Sequence, residues 1–188
     1  PDKPFPYETD KQLQYSVQYN STGGVIENIR ITRTGSEYPY VVKSNAGHKC
    51  RSGSTTTSIA MDGRSSTVDG VYADYTIRII SGTGVGQFAQ IESYDASLLR
   101  ATLKTALPIV PDESSRYEII PTVKLSGDGQ DAEAYVKMHG YAANTIESVV
   151  VSKKGRNYTT ATATVEPPHT GGLTTTLLSP SVNPVAGL

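Results

Sequence analysis

Several residues have types and spacings that could do chemistry. Ser126–Asp131 (SGDGQD) offers Asp128 and Asp131 beside Gly127 and Gly129, which invites a cation-loop reading. A calcium loop needs oxygen ligands at alternate positions and a bidentate acid further on. Here glycines fill the intermediate positions and Glu133 follows too soon, so a hairpin loop is expected. Gly82, Gly84 and Gly86 (SGTGVG) invite a phosphate-loop reading. Their spacing is G-x-G-x-G and a strand-like run follows, whereas such a site needs a helix N-terminus to supply amides. A glycine-rich turn is expected instead. His48 and Cys50 offer two soft ligands or a nucleophile pair, but zinc wants four, or three plus water. His139 and His169 stand apart from them, and residues two apart on a strand do not hydrogen-bond to each other. Asp62, Asp69, Asp74, Glu92 and Asp95 could hold an acid pair for glycoside hydrolysis. That reaction needs two carboxyls at a set separation, commonly beside aromatic sugar platforms, and the chain has no Trp. The residues therefore predict no catalytic, cofactor-binding or metal site.

The composition points to β structure. Thr and Val are abundant, 17 Gly and 11 Pro punctuate the chain, and 12 Tyr outnumber 2 Phe. Tyr in such excess suggests half-buried strand and interface positions, because the ring packs while the hydroxyl needs a partner. A Tyr-rich surface is thus the broadest functional signal, suited to protein or glycan contacts. A net charge of −1 gives no electrostatic case for nucleic acid. No apolar run is long enough to span a membrane as a helix, and the lone Cys50 can form no internal disulfide. The chain starts Pro-Asp-Lys-Pro, without Met, and is expected to be an internal piece of a longer protein.

The elements that would position all of this centre on a stretch that occurs twice. Val25–Tyr38 (VIENIRITRTGSEY) and Thr145–Tyr158 (TIESVVVSKKGRNY) align at an offset of 120 residues. Ile26/Ile146, Glu27/Glu147, Ile29/Val149, Ile31/Val151, Thr32/Ser152, Gly35/Gly155 and Tyr38/Tyr158 match. The shared pattern is I-E-x-[IV]-x-[IV]-[ST]-x-x-G-x-x-Y: a strand entered slightly irregularly, then a glycine where a turn needs positive φ. The repeated Glu27 and Glu147 are expected to face solvent in a structural role. Each copy predicts a three-stranded unit. The first comprises Gln12–Tyr19, Val25–Thr32 and Tyr38–Lys43; the second Ala132–Met138, Ile146–Ser152 and Thr159–Val165. Between them, Tyr75–Ile80, Gln87–Tyr94, Leu99–Leu103 and Arg116–Ile120 read as four short strands. The expected fold is all-β: an antiparallel β-sandwich framework from two repeat units, at 1–53 and 121–188, with a small inserted β-domain at 54–120. Pro1–Tyr7 should be an extended lead-in, and the tail 166–188 extended, with a possible short strand at Leu173–Leu178.

Gly127-Asp128-Gly129, Ala132–Met138, Asn144–Val151, Gly155, Tyr158-Thr159 and Thr164-Val165 together resemble a repeat common in virion and tail proteins of contractile-tailed phages. Val71–Ile120, with SGTGVGQ, a strand ending in Ser93-Tyr94 and then PDESSRYEI, resembles a second phage module. One nested in the other is similar to the variable β-region of the baseplate wedge protein family of T-even-like phages, especially its cyanobacterial-phage forms. The resemblance implies a non-enzymatic structural subunit of the virion, without cofactors. It implies assembly in the host cytoplasm, a homodimer within a larger assembly, and partners among other baseplate or tail proteins, with no nucleic acid or membrane. The alternative is a receptor- or glycan-binding module of a tail fibre or surface adhesin.

Overall fold

The computed structural model describes residues 14–20, 24–33, 38, 40–140 and 144–165. The chain is all-β, with several antiparallel, sandwich-like sheets and one short 3-10 turn at Ser44–Ala46. It divides into two compact units, one formed by Pro1–Pro39 with Val123–Leu188, the other by Tyr40–Thr122. The predicted lead-in, Gly35 and the tail strand lie outside the described residues.

In the first unit, β1 (Gln14–Asn20) and β2 (Val25–Arg33) form one hairpin. β9 (Gln130–Met138) and β10 (Ile146–Arg156) form the other, and the four join in the order β1-β2-β10-β9. The central strands meet where Ile29 faces Val149, two equivalent positions of the repeat. The repeated stretch therefore builds a pseudo-twofold. Tyr38 N–H donates to the Asn144 carbonyl (2.9 Å), and the equivalent Tyr158 N–H donates to the equivalent Gly24 carbonyl (2.8 Å). Gly24 and Asn144 share a left-handed backbone, with φ of 60° and 59°.

The irregular spacing of the repeated apolar residues now has a cause. In β2 the register skips Glu27 and again Thr32; in β10 it skips Glu147 and Ser152. Each is the extra residue of a β-bulge, which breaks the strict two-residue alternation. Ile26 and Ile29, three apart, thereby reach the same core, as do Ile146 and Val149; all four are buried. The Glu and Ser/Thr of the motif are bulge markers. Glu27 ion-pairs with Lys154 and Glu147 with Lys137, both on the exposed surface.

The third strands differ from expectation. β11 (Ala161–Val165) pairs with β8 (Val123–Gly127), a strand the sequence pattern did not reveal. β11 buries Ala161, Ala163 and Val165. Among the described residues of Tyr38–Lys43, the first copy has no such strand. Val42 makes a single bridge to Ile119, and the second unit begins at Tyr40 where position 54 was expected. Tyr40 is held there because its hydroxyl donates to the Glu118 carboxylate at 2.6 Å.

The second unit contains five strands: β3 (Ser58–Ala60), β4 (Thr76–Ser81), β5 (Phe88–Asp95), β6 (Arg100–Leu103) and β7 (Arg116–Ile120). Their order is β3-β6-β5-β4-β7. Ile77, Ile79, Ala89, Ile91, Ala101, Leu103, Tyr117 and Ile119 alternate into one core with Met61, Tyr72, Tyr75 and Tyr94. Glu118 is buried on β7 and meets Arg78 at 3.0 Å, so that charge is compensated.

Candidate interaction surface

The SGDG segment joins β8 to β9, and its parts serve folding. Asp128 accepts the backbone N–H groups of Thr159 (2.9 Å) and Thr160 (2.8 Å) and the Thr159 hydroxyl. That hydroxyl, followed by the two amides, holds the Asp128 carboxyl well below the usual carboxylate range. Asp131 pairs with Arg156 at 2.9 Å. The two acids thus face different partners, and among the described residues no group of three or more His, Cys, Asp or Glu could hold a metal ion. The flanking glycines make room for one ring. A Cβ on Gly129 would lie 2.5 Å from Tyr158 Cδ2, and one on Gly155 would lie 2.7 Å from Tyr158 Cε2. On Gly127 it would meet Tyr158 Cδ1 at 3.1 Å. Gly155 has the expected positive φ (68°), but it lies inside β10 and does not turn the chain.

The SGTGVG segment is the β4–β5 turn, and Gly82, Gly84 and Gly86 all have positive φ. It is braced by Asp112–Ser115. Thr83 N–H donates to Ser114 Oγ (3.2 Å), the Thr83 hydroxyl to Asp112 (2.7 Å), and the Ser115 hydroxyl to the Thr83 carbonyl (2.7 Å). The Ser114 hydroxyl and then the Thr83 hydroxyl lower the Asp112 carboxyl. A Cβ on Gly82 would collide with the Ser114 carbonyl, so glycine is needed for close approach as well as for φ.

His48 and Cys50 do not form a reactive pair. Cys50 is buried, and burial, followed by the Asp112 charge, pushes its thiol up to about 12. His48 lies against Tyr117, with ring centroids 5.8 Å apart, and its Nδ1 is 3.9 Å from Asp62. Burial, then Arg64, lowers its basicity, and Asp62 offsets part of this. Arg64 takes Asp62 as its own partner through Nε at 2.8 Å and holds that carboxyl far down.

The remaining acids tie turns. Asp69 accepts Ala96 N–H (2.7 Å), Asp95 caps Ser97 and Leu98, and Asp74 pairs with Lys104 (2.7 Å). Glu92 is exposed on β5. These contacts do not bring the five acids together as one constellation.

Most of the described tyrosines contribute to the cores rather than to an exposed surface, while Tyr7, Tyr15, Tyr19 and Tyr141 lie outside the residues whose side chains are described. Tyr38, Tyr72, Tyr75, Tyr94, Tyr117 and Tyr158 are buried, and Tyr40 and Tyr135 are half-buried. Their hydroxyls find partners inside: Tyr94 donates to the Ser66 carbonyl (2.7 Å), and Tyr72 accepts Ser66 N–H (2.8 Å). A satisfied hydroxyl lets the ring join the core.

Exposed aliphatics supply the candidate surface among the described residues. Among the described residues the large exposed apolar side chains are Val68, Val71, Val85, Leu98, Ile109 and Val110, all in the second unit. They fall at the two ends of β5. Val85 is in the turn entering β5, and Gln87 fixes Ile109 beside that turn by bonds of 2.7 and 3.0 Å. Leu98 is in the turn leaving β5. Asp69, through Ala96, and Gly70 N–H, through the Tyr94 carbonyl (2.9 Å), hold the Val68–Val71 segment at that end. In sequence these residues sit inside Gly, Ser, Asp and Pro clusters; aliphatics in otherwise polar turns were the available signal.

No family model matches the chain, and neither a curated protein nor a solved structure does.

Proposed function

We propose that this chain is a structural subunit of a contractile-tail baseplate wedge, acting through contacts with other baseplate proteins and a second copy of itself rather than by catalysis. The observation that carries the reading is the placement of six exposed aliphatics on hydrogen-bonded loops at both ends of one small β-unit. Apolar side chains held rigidly in water favour burial against another chain, since little ordering entropy is left to lose. The glycine, serine and aspartate residues that carry the phage-module resemblance support it, because they brace these loops and the Tyr158 cradle.

The test is localisation in the assembled particle of the virus that encodes the chain, by electron microscopy with an antibody to residues 40–122. Label on the baseplate is expected, and V85D/I109D should lower incorporation while the purified variant keeps its circular dichroism. Label on fibre tips, or no label, would overturn the reading.

A further inference from the structure

Among the described residues, the four-stranded sheet of the first unit ends in two edges, β1 and β9. They occupy equivalent places about the pseudo-twofold, with Val17 opposite Ile29 as Val136 is opposite Val149. Their side chains are not equivalent. β1 (QYSVQYN) carries no charge, whereas β9 has Asp131 in a left-handed backbone at its entry and Glu133, Tyr135 and Lys137 along its outer face. Its inner face, Ala134, Val136 and Met138, is buried. Charges on an edge strand ordinarily discourage pairing. A strand with acids at one end and a base at the other differs, because an antiparallel copy of itself brings opposite charges face to face.

We propose that β9 is an isologous interface, pairing antiparallel with β9 of a second copy about a twofold at Tyr135 and making one continuous eight-stranded sheet. In that register Glu133 faces Lys137 of the other copy twice. The register centred on Glu133 would set two carboxylates against each other. The charged side chains can serve both partners. Their bonds within the chain, Glu133 with Lys153 (2.7 Å) and Lys137 with Glu147 (2.8 Å), are exposed ion pairs. A carboxylate has about four acceptor sites and an ammonium three donors, so each can accept a second contact. The inner apolar row continues across the twofold from Val136 to Ala134 of the other copy, so both faces of the joined sheet match. The assignment rests on the proposed assembly role only in requiring a second copy.

The test uses the whole chain in sedimentation equilibrium. Wild type should dimerise, and K137E should weaken the dimer by about tenfold or more, near 1.4 kcal/mol. E133K/K137E should restore it by exchanging the signs across the twofold. Mixing E133C with K137C should give a disulfide-linked dimer that neither forms alone, the native Cys50 being buried. Unchanged circular dichroism would show that the variants still fold. A monomeric wild type, a dimer indifferent to K137E, or no mixed disulfide would overturn the interface. A monomer found on the baseplate would remove this interface and leave the baseplate role standing; a charge-dependent dimer absent from the baseplate would do the reverse.

Discussion

Substituting Gly129 by Ala tests whether the glycines around Tyr158 are there for the ring. No left-handed φ is required at Gly129, so alanine is acceptable to the backbone there. The new methyl would lie 2.5 Å from Tyr158 Cδ2 and 2.6 Å from the Arg156 carbonyl. Neither is the far end of a flexible side chain, so the ring or strand must shift. Overpacking of this kind costs about 1–3 kcal/mol. The stiffer unfolded chain returns about 0.4–1 kcal/mol. Taking central values of about 2 and about 0.7 kcal/mol, the net is a loss of about 1.3 kcal/mol from the first unit. Gly155→Ala meets the Gln130 carbonyl at 2.6 Å and also has φ of +68°. The left-handed backbone adds about 1 kcal/mol, so it should lose roughly 2–4 kcal/mol. Urea unfolding followed by far-ultraviolet circular dichroism would read both, with the slope unchanged if only stability moves. In a Tyr158→Ala background most of the Gly129→Ala cost should vanish, leaving the Arg156 carbonyl contact. A Gly129→Ala chain as stable as wild type, or one whose cost survives removal of the ring, would refute the cradle.

Asp128 should make the first unit acid-sensitive. Its folded carboxyl is depressed, so its contribution is complete above the unfolded value near 4 and is lost as pH falls through the lower folded value. Asp128→Asn keeps an acceptor for the two amides but none for the Thr159 hydroxyl once its oxygen is taken. Acid titrations of stability should lose part of their slope in that variant, and an unchanged slope would assign the acid response to other groups. Cys50, buried with its thiol pushed up to about 12, should resist thiol reagents at pH 8 until the second unit unfolds in urea; labelling at a free-thiol rate in the native chain would contradict its placement.

Much of the architecture was legible in the residues. The alternation in QFAQIESY marked strand β5, because a half-buried strand presents alternate side chains to the core. The short run RYEII after a Pro, Asp and Ser cluster marked β7, which is buried from Tyr117 to Ile120. The 120-residue repeat was legible too, since burial of Ile26, Ile29, Tyr38 and their equivalents requires the same residue types in both copies. β8 was not legible. Its alternation is short, Val123 and Leu125 against Lys124 and Ser126, with neither apolar side chain fully buried, and it is a strand because β11 supplies its hydrogen bonds. The strand expected after Tyr38 failed for the converse reason, as Val42 finds its bridge on β7 within the other unit. Ile109 likewise reaches the β4–β5 turn only through the side chain of Gln87.

The sequence by itself determined an all-β chain with a repeated, irregularly spaced strand, since side-chain periodicity and glycine placement are local properties. Only the tertiary structure decided what the repeated Glu, Ser/Thr, Gly and Tyr are for. Glu27 and Glu147 are bulge residues because a bulge is defined by the strand opposite. Gly155 is glycine because the ring of Tyr158 and the Gln130 carbonyl come close to it. The same holds for exposure. Tyrosine and valine are both common in strands, and whether a given one faces the core or solvent depends on which hydrogen-bond partners and neighbours the fold brings to it. Among the described residues that dependence buries six tyrosines and leaves Val68, Val71, Val85, Leu98, Ile109 and Val110 as the large exposed apolar side chains.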